Sequence, residues 1–177
     1  MILNNKLDYV AFHEAGHAVA HFLTGIPFKY VTIKADKAKE ENGQRSLGHV
    51  MLEKPVTADE WCQYSMLNPD EFNIYLKNDF TNLAGLVAEM IYRGRFNYKG
   101  AKGDFRFWIN TTLGDLPEKL SSKYQSFILE YTFQVLQIKT NWSNITAVAL
   151  ALIDEETLSY DQFLEVIRQN AINSIPL

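Results

Sequence analysis

The sequence predicts an α+β protein that is predominantly helical and carries a small two- or three-stranded sheet. Apolar residues recur at helical spacing from Asp8 to Thr24 and again through most of the chain from Thr57 onward. Only two short stretches, Tyr30-Val31-Thr32-Ile33 and Leu47 to Leu52, have the β-branched and aromatic content of strands, and each needs the other as a partner. No repeat, low-complexity tract or flexible linker divides the 177 residues, so a single domain spanning 1–177 is expected.

The first helix is expected from Asp8, a good N-cap, to about Thr24, where Gly25 and Pro27 end it. Between the two strand candidates, Asp36 to Ser46 is charged, contains Asn42-Gly43 and reads as a loop. Helices are then expected from Thr57 to about Leu67 and from Pro69 to about Tyr92, the second stopped by Gly94. Arg95 to Gly103 mixes glycine, aromatic and basic residues without an apolar period, as a loop does. Further helices are expected from Asp104 to about Leu113, from Pro117 to about Lys139 and after a cap at Ser143. In the tail, Tyr160, Phe163, Leu164 and Ile167 share one helical face.

A net charge of −4 offers no basic footprint for nucleic acid or an anionic membrane, so neither is an expected partner. The single cysteine, Cys62, can form neither an internal disulfide nor a Cys-rich zinc site, which fits a reducing, cytoplasmic setting. No run reaches the roughly 20 apolar residues a membrane span needs. Three Asn-x-Ser/Thr triplets begin at Asn110, Asn141 and Asn144, and they read as ordinary surface or capping residues.

The chemistry is concentrated in His13-Glu14-Ala15-Gly16-His17. On a helix, His13 and His17 lie one turn apart on one face, so both imidazoles can reach one ion. A zinc ion held by two imidazoles and a carboxylate keeps a position for water and lowers its pKa from about 15.7 to near 7. Glu14, beside the pair, is then placed to take the proton and pass it to a leaving amine. With four histidines in the chain, such a pattern arises by chance with a probability on the order of one in two hundred. His21 continues the same face, but a straight helix separates it from His13 by roughly 12 Å, too far for one ion, so it is expected either to be structural or to support a ligand without touching the ion. Two carboxylates are candidates for the third ligand. Glu89 sits in the apolar stretch Leu83 to Glu89, where a buried carboxylate needs a metal or a polar partner. Asp104 follows Gly100-Ala101-Lys102-Gly103 at a helix start, where it also reads as an N-cap.

Val10-Ala11-Phe12-His13-Glu14-Ala15-Gly16-His17-Ala18 resembles the HEAGH helix of the FtsH family, the membrane-bound ATP-dependent zinc metalloproteases. Tyr30-Val31-Thr32-Ile33 and Leu47-Gly48-His49-Val50 resemble the strand pair that follows in that family, with His49 where tyrosine is common. Ala84 to Glu89 is similar to the Gly-Gly-Arg-x-Ala-Glu segment, with Leu86 in place of Arg. Gly100 to Asp104 is similar to Gly-Ala-x-Asn-Asp, with Gly103 in place of Asn, and Ala151 to Leu158 resembles the final helix-turn-helix. The resemblance implies a zincin-like helix bundle with Asp104 as the third zinc ligand, which leaves Glu89 as a group that orients a ligand. Phe105-Arg106-Phe107-Trp108 departs from the small and charged residues usual in the family, and no phosphate-binding loop occurs in the sequence.

The expected activity is zinc-dependent endopeptidase cleavage of flexible or unfolded polypeptides, independent of ATP in this chain itself. Leu47, Gly48, His49 and Val50 would bind an extended substrate by strand addition. Other candidate partners are a second copy of the chain or a separate ATPase. The alternative is a catalytically silent zinc-binding adaptor or regulatory domain, against which the intact Glu14 argues.

Overall fold

The computed structural model describes residues 6–35, 47–53, 71–96, 108 and 118–173. Over these it is an α+β fold with helices α1 (Lys6–Thr24), α2 (Glu71–Arg93), α3 (Glu118–Gln137), α4 (Lys139–Glu155) and α5 (Tyr160–Asn173). Strands β1 (Phe28–Thr32), β2 (His49–Leu52) and β3 (Thr157–Ser159) form one antiparallel sheet in the order β2-β1-β3. The expected helices at 57–67 and 104–113 and the loop at 36–46 lie outside the described residues, except that Trp108 is helical and buried.

Helix α1 is the centre of the fold because its small residues let neighbours approach. Ala11, Ala15, Ala18 and Val19 are fully buried. At Gly16, a Cβ would stand 2.6 Å from the Ala84 carbonyl oxygen and 2.6 Å from Ala88 Cβ, so α1 and α2 meet almost backbone to backbone. Every added methyl at such a crossing would push the helices apart. Helix α1 already runs at Lys6, which puts the buried Asp8 in its first turn rather than at the cap. The other end stops where the sequence indicates. Gly25 has a φ of 75°, with Gly25 N–H donating to the Phe22 carbonyl at 3.2 Å and Ile26 N–H to that of His21 at 2.9 Å. These are the paired bonds of a glycine-terminated helix, and a side chain disfavours that left-handed φ.

Val31 pairs with Val50 on one side of β1 and with Leu158 on the other. The sequence reading finds the first pair of strands but not β3, whose three residues are too short to show a period. Glu156, in the left-handed region with φ 59°, turns the chain from α4 into β3. Its carbonyl accepts the Ile33 N–H at 2.9 Å and the Thr32 hydroxyl at 3.0 Å, tying that turn to the end of β1.

The boundary between α3 and α4 differs from expectation. It falls at Ile138, whose ψ of 127° breaks the helix, so Ser143 lies inside α4 instead of capping it. The Val135 carbonyl at the end of α3 accepts both the Ile138 N–H at 3.3 Å and Asn141 Nδ2 at 2.9 Å. Ser143 Oγ donates to Asn170 Oδ1 at 3.0 Å, and Asn144 Oδ1 accepts from Asn170 Nδ2 at 2.7 Å, which fastens α4 to α5. Asn141 thus bonds the end of α3, as a capping residue does, whereas Asn144 joins two helices instead of being an ordinary surface residue. Among the described residues, no helix is long and apolar enough to cross a membrane.

Candidate metal centre

His13 and His17 point from α1 toward α2, with ring centroids 4.9 Å apart. The Nδ1 of His17 lies 2.8 Å from the Thr81 carbonyl oxygen. A carbonyl only accepts, so that nitrogen carries the proton and a neutral His17 presents a lone pair at Nε2. The Nδ1 of His13 lies 3.3 Å from Glu89 Oε2, and an ionised carboxylate imposes the same tautomer. The two Nε2 atoms are 3.2 Å apart. Two nitrogens each about 2.05 Å from a tetrahedral zinc stand about 3.3 Å apart, so the separation of the pair is compatible with joint ligation. A proton shared between the nitrogens is the other way to relieve two facing lone pairs.

Helix α2 makes the space that the imidazoles occupy. A Cβ on Gly85 would overlap Nε2 and Cδ2 of His17 and come 2.9 Å from His13 Cδ2. Glycine is therefore required by contact at this position, within a helix interior where it costs about 1 kcal/mol relative to alanine. One turn further, Glu89 is only 4% exposed. Its Oε2 faces His13, while Oε1 lies 2.6 Å from Arg93 Nε. Both oxygens thus have partners on the Nδ1 side of His13, away from the nitrogen turned toward His17.

Glu14 is 6% exposed and lies against the start of β2. A Cβ on Gly48 would stand 2.7 Å from Glu14 Cγ and 2.8 Å from its Oε1, so only a glycine lets the strand pass the carboxylate this closely. Beyond Gly48, β2 is an outer strand of the sheet among the described residues, with His49 opposite Thr32 and Val50 opposite Val31. His49 Nε2 also lies 3.2 Å from the Tyr30 hydroxyl. Leu47 is 41% exposed at the mouth of this edge. Of the edge anticipated at Leu47, Gly48, His49 and Val50, the last two lie in β2, while Leu47 and Gly48 precede the strand and Gly48 lies against Glu14.

His21 lies on α1 one turn beyond His17. Burial, and secondarily the neighbouring His17, hold its pKa down from 6.5 to about 3, so it is a neutral imidazole near neutral pH. Asp104 lies outside the described residues. Among the described residues, no third His, Cys, Asp or Glu completes a ligand group around His13 and His17.

Three features of the site were not singled out in sequence. Gly85 carried a signal, a glycine inside a strongly apolar helix, which marks a close approach. The Thr81 carbonyl is a backbone group and carries none. Arg93, a basic residue in the last turn of its helix, carries no more specific signal. No protein-family model matches the chain, and no curated protein matches it significantly.

Proposed function

We propose that this chain is a zinc-dependent endopeptidase related to the FtsH peptidase domain, with a zincin-like arrangement of its metal helix. The observation that carries the reading is the 3.2 Å separation of the His13 and His17 Nε2 atoms, each ring oriented through its other nitrogen. His13 and His17 would hold the metal, with Asp104 as the third ligand that the family resemblance implies. Glu89 is assigned to orienting His13, because its two oxygens face His13 Nδ1 and Arg93 Nε. Zinc held there would supply Lewis-acid chemistry, lowering the pKa of a water to near 7.

The chain's own residues perform the remaining work. An extended segment of a flexible polypeptide adds to the outer edge of β2 by main-chain hydrogen bonding, which brings its backbone beside Glu14. Glu14 accepts a proton from the attacking water and delivers it to the departing nitrogen, so water adds across the C–N bond and the products are a carboxylate and an amine. The burial of Glu14 keeps bulk water from competing for that proton. A cytoplasmic setting, and a separate ATPase or a second copy as partner, belong to the same proposal.

Zinc content and cleavage of an unfolded casein-like substrate test it together. The expected result is about one zinc per chain, lost in His13→Ala. Glu14→Gln should retain zinc while cleavage falls by about 10²- to 10⁴-fold, the usual worth of a general base. Equal cleavage by wild type and Glu14→Gln would exclude Glu14 as the general base, and no cleavage by the zinc-loaded wild type would leave the zinc-binding adaptor reading.

A further inference from the structure

We propose, on the metal-centre reading of His13 and His17, that Arg93 is a positioning residue which holds Glu89 against His13 and so sets the affinity of the pair for its metal. Four residues make a closed circuit between two helices. Tyr9 and His13 stand one turn apart on α1, and Glu89 and Arg93 stand one turn apart on α2. The Arg93 guanidinium carbon lies 3.4 Å from the centroid of the Tyr9 ring. Its Nε lies 2.6 Å from Glu89 Oε1, and Glu89 Oε2 lies 3.3 Å from His13 Nδ1. Each helix therefore contributes one residue to hold the other helix's partner in place.

The terminal torsion of a glutamate is soft, so a carboxylate held at one oxygen alone can turn away from an imidazole. Arg93 fixes the second oxygen. The Nε–H is not aimed along a hydrogen-bond axis toward that oxygen, so the attraction is chiefly coulombic. The Arg93 and Glu89 side chains are 16% and 6% exposed, and at such burial solvent and salt screen the attraction weakly. The Tyr9 ring in turn limits where the guanidinium can go, by stacking against its face. Carboxylates that orient a ligating histidine typically change metal affinity by about 10- to 100-fold when lost. Arg93 acts one contact further out, through Glu89, and this makes a specific demand. Its effect must vanish when Glu89 can no longer act as a carboxylate.

A double-mutant cycle on the full chain reads this directly, with zinc dissociation constants from chelator competition and the visible spectrum of the cobalt(II)-substituted protein. Arg93→Met is expected to weaken zinc about tenfold and alter the cobalt bands, with Arg93→Lys retaining most of the affinity because it keeps the charge. In a Glu89→Gln background the same Arg93→Met change is expected to have little further effect. Tyr9→Leu, which removes only the ring beneath the guanidinium, is expected to weaken zinc by a few fold, and it carries the test if Arg93→Met loses its cooperative thermal transition. Wild-type affinity and spectrum in Arg93→Met or, where that variant does not fold, in Tyr9→Leu overturn the proposal. So does a tenfold loss that persists undiminished in the Glu89→Gln background, since that is a general structural effect. Absence of zinc uptake by the wild-type chain overturns the metal centre itself and this role with it, an outcome distinct from zinc binding that ignores Arg93.

Discussion

Adding one methyl group at Gly85 gives the sharpest test of the site's geometry. In Gly85→Ala the new Cβ overlaps Nε2 and Cδ2 of His17 and sits 2.9 Å from His13 Cδ2. Ordinary contact between such atoms is about 3.5 Å, so the His17 ring must retreat by about 1 Å or α2 must shift by a similar amount. Metal–ligand distances tolerate about 0.2 Å, so either movement removes His17 as a ligand at its present position. Apo stability responds much less. The substitution gains about 1 kcal/mol of helix propensity and loses about 1–3 kcal/mol to overpacking, for a net loss of no more than about 2 kcal/mol. Zinc affinity is expected to fall at least about 100-fold, equivalent to about 2.7 kcal/mol. Thermal melts with and without zinc, together with chelator competition, separate the two quantities. Zinc binding at wild-type strength in Gly85→Ala would refute the placement of the imidazoles against α2.

Gly16→Ala tests the helix crossing rather than the metal. A Cβ there meets the Ala84 carbonyl and Ala88 Cβ at 2.6 Å, so a net destabilisation of up to about 2 kcal/mol is expected by chemical denaturation, and increased stability would contradict the close crossing. For His21, the native pKa of about 3 lies below the unfolded value near 6.5. The unfolded chain therefore takes up the extra proton between those values, and stability falls as pH drops from about 6.5 toward 3, by up to about 1.4 kcal/mol per pH unit. In metal-free protein, His21→Phe should remove that part of the acid slope in denaturant titrations, and equal slopes would show that His21 is not held neutral. Tyr124 titrates in the opposite sense, because burial first and its 2.6 Å hydrogen bond to Asp79 second push its hydroxyl above the ordinary value of 10. Its contribution is complete below about pH 10 and declines above it as the unfolded chain alone ionises. Tyr124→Phe should cost about 1–3 kcal/mol at neutral pH by weakening the support of buried Asp79 and should flatten the alkaline loss measured by denaturation above pH 10.

The sequence by itself determined the parts of this protein that rest on local chemistry. The four-residue spacing of His13 and His17 fixed a common helical face, Gly25 and Gly94 fixed two helix ends through their left-handed φ, and β-branched residues marked the paired strands around Val31 and Val50. Each follows from the period of a helix or strand, or from the steric cost of a Cβ, and needs no distant residue. What required the tertiary structure was every contact between α1 and α2 and every element too short to show a period, such as β3. That the Thr81 carbonyl sets the His17 tautomer, that Glu89 turns one oxygen to His13 and the other to Arg93, and that Gly85 leaves room for two rings depend on how two helices cross. The crossing is set by shape matching among alanines and glycines, whose side chains give one-dimensional patterns almost nothing to register, so only packing in three dimensions could decide it.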